Sequence, residues 1–531
     1  MFWQRCFLKK HKIDVSIYCV LFMLYNLLAF NSVFFHQVYI ATHSYLFCLG
    51  TFAVVWALGT IGCLLLFYKH TFKIFSWIFL IVNSSLYYFI KTYHISIEEE
   101  MLRNALQTNL VESTDLLNGT WFLYVFILGI IPALVINRLS LSENRIWRHR
   151  VITILCCLLI VFTIIFANIS TVIPTVRNHK STKYFLLPVN YISAIISTVK
   201  HSYRQNHEFI QIDTDSQFTK YWSGDKKLLV IFIVGETARA ANFSLNGYSR
   251  PTNSPLNSYL HNIINYPHAY SCGTSTAVSV PCMFSSRNRS DFNPSESAFT
   301  ENVLDIVQKN GYRVLWIENN SDCKYVCDRV EQKIPCNGPK GTCRDEIMLM
   351  NLDKTIQQSD HNTMLLMHQI GSHGPKYYKR YDKKSAKFKP TCNTEKINKC
   401  STEELINTYD NTIVYTSQFI ADTIRKTQKN AHAYNIVLFY VSDHGESLGE
   451  NGLYLHSAPY RIAPKEQTHI PFFVWAEDQT WQNLHINKEC LQKSTDKTIT
   501  HDNIFHTLLG LSGIKTSIYN PQQDLFAPCR Q

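Results

Sequence analysis

Three side chains that can bind a metal ion follow two apolar runs in the second half of the sequence. Glu236 comes after the run 227–234 (KLLVIFIV), and Asp443 and His444 come after the run 435–441 (NIVLFYV). Two carboxylates and an imidazole suit Zn²⁺ with a position left open for a substrate. Each of these residues alone is more often structural, so the prediction of a zinc site depends on their occurrence together.

Metal-assisted transfer chemistry also needs a nucleophile, because a coordinated hydroxyl can attack at neutral pH. The segment 271–282 (SCGTSTAVSVPC) is rich in small hydroxyl residues, and the cysteines at its ends can close it as a rigid loop. A Ser- and Thr-rich surface loop is the plainer interpretation of this composition. Chemistry alone leaves four hydroxyl groups open as the nucleophile: Thr237, Thr274, Ser275 and Thr276.

Four short apolar runs alternate with helix-like segments after residue 226 and would position these groups. Buried strands that alternate with helices form a parallel sheet covered on both faces. Ligands of such sheets gather at the carboxyl ends of the strands. The residues after each run are therefore predicted to share one site. The runs are 227–234, 312–317, 363–367 and 435–441, and the residues after the second and third include Asn319, Asn320 and the segment 368–374 (HQIGSHG).

The first third of the chain contains five apolar stretches long enough to cross a bilayer. Lys and Arg residues precede the first stretch and lie between the second and third and between the fourth and fifth, which places those loops in the cytoplasm. A chain that begins inside and crosses five times continues outside. The predicted spans are 15–35, 45–68, 72–90, 121–136 and 151–173.

This topology predicts three segments. They are a transmembrane domain over 1–173, an amphipathic linker over 174–225 and a catalytic domain over 226–531. No cleavage site for a signal peptide follows the first stretch, so we expect that stretch to remain as an anchor. The net charge of +11 would also fit nucleic-acid binding, but a basic protein at a membrane is better explained by anionic lipids, and we expect no nucleic-acid partner.

Cysteine usage supports an oxidising compartment for the second part, because structural disulfides persist in such compartments. Ten of the 16 cysteines follow residue 270. Neighbouring cysteines can pair at little geometric cost, although the sequence does not determine the connectivity. A zinc ribbon is the alternative, but its paired CxxC motifs are missing. The neighbouring pairs are Cys272 with Cys282, Cys323 with Cys327, Cys336 with Cys343, and Cys392 with Cys400, which leaves Cys490 and Cys529.

Four longer runs resemble the lipid A phosphoethanolamine transferases, a family that includes the mobile colistin-resistance enzymes. They are 234–248 (VGETARAANFSLNGY), 271–285 (SCGTSTAVSVPCMFS), 368–375 (HQIGSHGP) and 442–456 (SDHGESLGENGLYLH). The resemblance extends over nearly the whole chain. It implies a bacterial inner-membrane protein with an N-terminal domain of five transmembrane helices and a periplasmic α/β domain of the alkaline phosphatase and sulfatase type. We expect a monomer.

The resemblance also implies roles for individual residues. Thr276 matches the nucleophile, and Glu236, Thr276, Asp443 and His444 match the ligands of the catalytic Zn²⁺. Seven residues match positions that bind substrate or a second zinc ion: His373, His456, Asn320, Lys324, Asn104, Thr108 and Glu112. The last three of these are spaced by four residues, which places them on one helix face.

The implied reaction is zinc-dependent transfer of phosphoethanolamine from phosphatidylethanolamine to a lipid A phosphate through a covalent phosphothreonine-type intermediate. Such a transfer makes lipid A less anionic and would give resistance to polymyxins such as colistin. One alternative is a related transferase that modifies a lipopolysaccharide core sugar or a periplasmic glucan. The other is a non-catalytic membrane scaffold that has kept the fold.

Overall fold

The computed structural model describes residues 11–107, 117–142, 146–168, 172, 180–203, 208–320, 322–336 and 343–531. The chain divides into two compact units. The first comprises Met1–Glu99 and Leu117–Ser197, and the second comprises Glu100–Leu116 and Thr198–Gln531. The division into segments 1–173, 174–225 and 226–531 stays a prediction.

Helices form almost all of the first unit, because a chain in a bilayer must satisfy its backbone hydrogen bonds internally. Four of them are long and apolar enough to span a membrane, namely α3, α4, α6 and α7. Helices α1 and α2 form a fifth span if this pair, which is bent by 72°, crosses the membrane once. The helices are α1 (Val15–Phe30), α2 (Ser32–Thr42), α3 (Tyr45–Leu66), α4 (Phe72–Tyr93), α5 (Glu99–Gln107, largely in the second unit), α6 (Gly119–Ile136), α7 (Ile146–Ala167) and α8 (Val189–Tyr203).

Four of the predicted spans are confirmed as single apolar helices with differences at their ends, whereas the predicted span 15–35 is a pair of helices bent at Asn31. Helix α7 begins at Ile146 rather than at residue 151, and α6 contains a π-helical turn at Val125–Ile130. Strand β1 (His11–Ile13) pairs in parallel with β2 (Leu139–Leu141). These strands lie before the first span and after the fourth, so their pairing agrees with the prediction that both loops are on the cytoplasmic side.

A seven-stranded sheet forms the centre of the second unit. Its order is β5-β14-β10-β4-β9-β7-β8, and the four predicted runs are its adjacent parallel strands β10, β4, β9 and β7. The antiparallel strands β14 and β5 were not predicted. The sheet strands are β4 (Lys227–Gly235), β5 (Ile263–Asn265), β7 (Arg313–Glu318), β8 (Glu331–Lys333), β9 (Thr363–His368), β10 (Tyr434–Ser442) and β14 (Phe472–Trp475). The other strands of this unit are β3 (Gln217–Phe218), β6 (Ala269–Tyr270), β11 (Ser447–Leu448), β12 (Tyr454–Leu455), β13 (His469–Ile470), β15 (Ile499–Thr500) and β16 (Ile514–Lys515).

Helices pack around this sheet, as the alternation in the sequence predicts. The longest, α13, begins with a capping box in which Ser401 and Glu404 satisfy each other's backbone amides. The core is dominated by aromatic and aliphatic side chains, including Phe232 and Phe439, whose ring centroids lie 5.6 Å apart. The helices are α9 (Thr276–Met283), α10 (Pro294–Ser297), α11 (Val303–Lys309), α12 (Leu352–Gln357), α13 (Thr402–Thr427), α14 (Lys465–Thr468), α15 (Asp478–Asn483), α16 (Lys488–Lys493) and α17 (Asp502–Leu511).

Five disulfides cross-link the second unit. The four neighbouring pairs predicted from spacing are confirmed, and the two remaining cysteines, Cys490 and Cys529, form the fifth bridge. This last bridge ties α16 to the C-terminal segment over a separation of 39 residues. The free cysteines of the described residues all lie in the first unit.

Candidate metal centre and nucleophile

Two adjacent parallel strands place the candidate metal ligands side by side. Ser442 at the end of β10 is paired with Gly235 at the end of β4, so the next residue of each strand, Asp443 and Glu236, emerges at the same edge. The amide of Asp443 donates a 2.8 Å hydrogen bond to the Gly235 carbonyl oxygen. Gly235 is required here because a Cβ atom would lie 2.5 Å from the hydroxyl oxygen of Tyr440.

The three predicted ligands form a compact, fully buried group. The ligand atoms of Glu236, Asp443 and His444 all lie within 4.8 Å of one another, and none of the three side chains is exposed to solvent. His444 Nε2 lies 3.5 Å from Glu236 Oε1 and 3.3 Å from Asp443 Oδ2. His444 Nδ1 lies 2.9 Å from the Gly445 carbonyl oxygen and can donate to it, which leaves the Nε2 lone pair directed at the two carboxylates.

The electrostatics of this group favour a bound cation. Burial raises the pKa of Asp443 to about 6, and burial together with the charge of Asp443 raises the pKa of Glu236. Burial also lowers the pKa of His444 to about 4, so this imidazole is neutral at pH 7. Asp443 Oδ2 accepts no hydrogen bond from the described residues. Two buried carboxylates, a neutral imidazole and an unpartnered oxygen are the donor set that a divalent metal ion requires.

Thr276 is the hydroxyl residue that the structure brings to these ligands. It is the first residue of α9, and its Oγ1 lies 3.3 Å from each carboxylate oxygen of Glu236 and 3.4 Å from His444 Nε2. A helix N-terminus also stabilises negative charge that develops on a nearby oxygen. The bridge between Cys272 and Cys282 spans the first residues of α9 and the loop before it.

The other three hydroxyl groups have different surroundings. Thr274 Oγ1 donates a 2.6 Å hydrogen bond to the Ala458 carbonyl oxygen, so its proton is already engaged. The hydroxyl groups of Ser275 and Thr237 are buried without a hydrogen-bond partner among the described residues. Thr237 is in the left-handed region with a φ of 51°, and its amide donates to Asp443 Oδ1 at 3.2 Å. The geometry therefore favours Thr276 over the alternatives that chemistry alone leaves open.

A second group of polar residues lies beside Glu236, at the ends of β7 and β9. Asn320 Nδ2 donates a 2.5 Å hydrogen bond to Glu236 Oε2, and it lies 3.2 Å from His368 Nε2. His368 Nδ1 lies 3.0 Å from Glu318 Oε2. Burial lowers the pKa of His368, but the charge and hydrogen bond of Glu318 together with the charges of Glu236 and Asp443 outweigh burial, so the pKa is above its ordinary value. The sequence motifs include Asn320 and His368, but they do not include Glu318, the last residue of β7.

Two further predicted histidines lie near His444. The ring centroid of His456 is 4.6 Å from that of His444 and 5.2 Å from that of His373. His456 Nδ1 lies 3.2 Å from Glu446 Oε1, and burial raises the pKa of Glu446 to about 7. The segments after β9 and β12 supply His373 and His456, so residues far apart in the sequence meet at one side of the ligand group.

The remaining predicted substrate residues come from α5, the segment after it and the turn after β7. Lys324 is buried and lies in the turn closed by the Cys323–Cys327 bridge, with a φ of 52°. Asn104 is buried on α5. Thr108 and Glu112 lie outside the described residues, so the shared helix face stays a prediction.

Sequence reasoning missed one residue that connects the loop before α9 to the end of β10. His501 is fully buried, its Nδ1 accepts a hydrogen bond from the Cys272 amide at 3.2 Å, and its Nε2 donates to the Ser442 carbonyl oxygen at 3.0 Å. Burial lowers the pKa of His501 to about 3, which keeps the ring neutral. No motif marks this residue, because its role arises from contacts with segments that are about 60 and 230 residues away.

Known proteins match both units. Residues 229–514 match the Sulfatase family model, and residues 55–203 match the model for phosphoethanolamine transferase EptA/EptB. Phosphoethanolamine transferase EptA from Salmonella typhimurium and phosphatidylethanolamine transferase Mcr-1 from Escherichia coli are each 36% identical, with 86% of both chains covered. The structure of the integral membrane lipooligosaccharide phosphoethanolamine transferase A from Neisseria meningitidis superposes with a TM-score of 0.94 at 36% identity, over 98% of this chain and 100% of that one.

Proposed function

The chain belongs to the phosphoethanolamine transferase family of inner-membrane enzymes with a periplasmic catalytic domain, and on this premise we propose that it transfers phosphoethanolamine from phosphatidylethanolamine to a phosphate of lipid A, with Thr276 as nucleophile. The observation that carries the proposal is the position of Thr276 Oγ1, 3.3 Å from both oxygens of Glu236 at the edge of the sheet where the ligands converge.

Four residues would hold the metal ion in this proposal: Glu236, Thr276, Asp443 and His444. Zn²⁺ suits two carboxylates, one imidazole and one hydroxyl oxygen better than the hard cations do, because those prefer oxygen ligands alone. A bound Zn²⁺ would lower the pKa of the hydroxyl group and balance the charge of the phosphoryl oxygens. The unpartnered Oδ2 of Asp443 supports this assignment.

The first half-reaction forms a bond between Thr276 Oγ1 and the phosphorus of phosphatidylethanolamine and breaks the bond to the diacylglycerol oxygen. The Thr276 hydroxyl loses its proton, and a nearby carboxylate oxygen of Glu236 is within reach to accept it. The departing diacylglycerol oxygen gains a proton, which the imidazole of His456 or His373 would donate. Phosphoethanolamine then remains as an ester of Thr276.

The second half-reaction returns Thr276 to its starting state. A phosphate oxygen of lipid A attacks the phosphorus, the bond to Thr276 Oγ1 breaks, and that oxygen regains the proton that Glu236 accepted. The imidazole that protonated diacylglycerol takes up the proton of the lipid A phosphate. Asn320 already contacts Glu236, so it would help to orient the phosphoethanolamine group beside the nucleophile. Lys324, Asn104, Thr108 and Glu112 are proposed to bind the substrates, on the basis of the family resemblance.

A different acceptor is the second candidate. Kdo(2)-lipid A phosphoethanolamine 7''-transferase from Escherichia coli is 29% identical, and the match covers 54% of this chain. That enzyme's name specifies the 7'' position of Kdo(2)-lipid A. The phosphate of lipid A is favoured here because the matches that cover most of this chain are to the EptA and Mcr enzymes.

Mass spectrometry of lipid A from cells with and without the chain tests the acceptor. We expect lipid A to gain the mass of one phosphoethanolamine group and the cells to become less susceptible to polymyxins. Cells that express the Thr276→Ala variant are the matched control. An unchanged lipid A together with a modified core sugar or glucan would show that the acceptor is wrong.

A trapping experiment tests the covalent step. Purified full-length protein is incubated with phosphatidylethanolamine and no acceptor, and its peptides are then analysed by mass spectrometry. We expect diacylglycerol release and one peptide that carries phosphoethanolamine on Thr276. An adduct on Thr237 or Ser275 would overturn the choice of nucleophile, and release without any adduct would favour direct transfer.

A further inference from the structure

The membrane unit contains an apolar cavity whose lining includes none of the residues assigned to the transfer reaction. Its volume is about 570 Å³, within the range of small-molecule sites. The cavity, which we call the wedge, lies among α2, α3, α7 and the turn at Lys180–Phe185. Its wall is apolar apart from a few side chains, and it includes Ala41, Phe47, Gly50, Val54, Asn168 and Lys183.

The wedge exists because α2 bends away from α1. The two helices meet at Asn31 with an angle of 72°. The Asn31 side chain is fully buried, its Oδ1 accepts a hydrogen bond from the Leu187 amide at 2.9 Å, and its Nδ2 donates to the Leu187 carbonyl oxygen at 3.1 Å. This two-bond contact fixes the segment that carries Lys183 to the point where the helices diverge. The bend that opens the wedge is therefore held in place by buried hydrogen bonds.

A close helix contact forms part of the same wall. A Cβ atom at Gly50 of α3 would lie 3.3 Å from Ile164 Cγ2 of α7, so the two helices pack tightly at this level. The wedge is the apolar space that lies beside this tight contact between α3 and α7. Hydrocarbon fills such a space more favourably than water does, because water there would find few hydrogen-bond partners.

The wedge lies at the periplasmic ends of the helices. Ala41 is near the end of α2, Phe47 is near the start of α3, and Asn168 directly follows α7, and each of these ends faces outward in the predicted topology. Helix α8 follows shortly after Lys183 and exposes Ile195 and Ile196. An amphipathic helix of this kind lies in the membrane interface. The exposed Lys183 is therefore expected at the level of the lipid head groups of the outer leaflet.

The charge of the wall selects among the lipids of that leaflet. Lys183 is the one charged side chain that lines the wedge in the part of the chain that the structure describes. Its ammonium group can pair with a phosphate. The ethanolamine group of a zwitterionic lipid would need a carboxylate, and none lines the described wall. A net-anionic head group is the complement of this surface.

We propose that the wedge binds one acyl chain of an anionic glycerophospholipid, of the phosphatidylglycerol type, and that the lipid phosphate contacts Lys183. This lipid is a resident of the membrane unit and is distinct from the donor substrate. It would fill the volume that the bend at Asn31 opens and so stabilise the packing of α2 against α3 and α7.

Native mass spectrometry of the full-length protein tests the proposal. The protein is stripped of lipid and then given equal amounts of phosphatidylglycerol, phosphatidylethanolamine or phosphatidylcholine with identical acyl chains. We expect one retained phosphatidylglycerol molecule per chain. The Lys183→Gln variant should retain it about fivefold less well, equivalent to about 1 kcal/mol for one lysine near a membrane phosphate, and Lys183→Arg should retain it as the unmodified protein does.

A second pair of variants tests the apolar part. Val54→Trp places a large ring in the wedge and should abolish retention, whereas Leu159→Trp, on the lipid-facing side of α7, should not change it. Equal retention of phosphatidylethanolamine and phosphatidylglycerol would overturn the proposal. So would full retention by Lys183→Gln or by folded Val54→Trp. If Val54→Trp does not fold, the exposed Lys183 variants decide the question alone.

Discussion

Both units of this protein bury polar side chains, but the groups that neighbour those side chains differ between the units. In the membrane unit, buried amides and hydroxyls contact one another: Asn83 Nδ2 donates to Asn26 Oδ1 at 2.8 Å, and the hydroxyl groups of Tyr18 and Ser76 lie 2.5 Å apart. In the periplasmic unit, Glu236 and Asp443 are buried together, and the pKa of each carboxyl is raised.

This difference distinguishes buried polar groups that stabilise the fold from buried charged groups that form a candidate functional site. Neutral hydrogen-bonded pairs cost little to bury and hold helices together in a membrane. Two carboxylates that share one buried volume repel each other and destabilise the fold unless a cation balances them. A chain retains such an arrangement where chemistry requires it. The following predictions test this contrast, from the largest expected effect to the smallest.

The largest effect is expected from loss of the proposed nucleophile. Thr276→Ala should lower phosphoethanolamine transfer by at least about 10³-fold, as is typical when an enzyme loses its attacking group. The measurement is the release of labelled diacylglycerol from phosphatidylethanolamine by purified full-length protein. Thr237→Ala is the matched control, because it removes a neighbouring buried hydroxyl and should leave most of the activity. Similar losses in both variants would contradict the assignment.

The second effect concerns the stability of the carboxylate group. Asp443→Asn should abolish transfer and yet raise the melting temperature of the metal-free protein. The pKa of Asp443 is about 6 in the fold, against an ordinary value of 3.8, so its ionised form at pH 7.5 destabilises the metal-free fold by about 3 kcal/mol. The asparagine keeps an oxygen to accept from the amides of Thr237 and His444.

The measurement is the melting temperature with a chelator and with added Zn²⁺. With the chelator, Asp443→Asn should melt above the unmodified protein. With Zn²⁺ the order should reverse, because a bound metal stabilises the fold that holds its ligands. A variant that melts below the unmodified protein under both conditions would show that the carboxylates are balanced without a metal ion.

Much of this site could be predicted from local pattern. The runs that became β4, β7, β9 and β10 are apolar throughout because both faces of these strands are buried, and the strand-end rule for parallel sheets then groups Glu236, Asp443 and His444. Four disulfides followed from short spacing. Long motifs from a known family then singled out Thr276 among four possible hydroxyls.

Other features could not be predicted, because distant segments create them. His501 acts through the backbone of Cys272 and Ser442, and nothing near it in the sequence indicates either contact. Strand β14 has four residues and was too short to recognise. The bend at Asn31 interrupts an otherwise continuous apolar stretch, and only its contact with Leu187 explains it.

A pH dependence of stability is the third expected effect. Burial lowers the pKa of His501 to about 3, whereas the unfolded chain binds a proton at about 6.5. At this residue the unfolded state therefore binds more protons between these values, and the contribution of His501 to stability falls as the pH is lowered through 6.5. At pH 5 the loss from this residue is about 2 kcal/mol.

The melting temperature of chelator-treated protein at pH 7.5 and pH 5 measures this loss without interference from metal release. Buried carboxyls such as Asp443 gain stability over the same pH range, so the test compares variants rather than the sign of the overall change. His501→Gln can still donate to the Ser442 carbonyl oxygen, and on going to pH 5 its melting temperature should change less unfavourably than that of the unmodified protein. His432→Gln, at an exposed position, serves as the control and should change as the unmodified protein does. Equal changes in all three proteins would show that His501 does not govern this part of the pH dependence.

The smallest effect is expected in the membrane unit, where the buried pair of Asn26 and Asn83 should be structural. A double-mutant cycle with Asn26→Ala, Asn83→Ala and the double variant should give a coupling energy of about 0.6 kcal/mol, the average for hydrogen bonds between membrane helices. The measurement is unfolding of the full-length protein in detergent, with transfer activity followed in parallel. Activity should persist in every folded variant, since the pair joins α1 to α4 by a neutral hydrogen bond and holds no unbalanced charge. Loss of transfer in a folded Asn83→Ala variant would place a functional group in the membrane unit and remove the contrast between the two units.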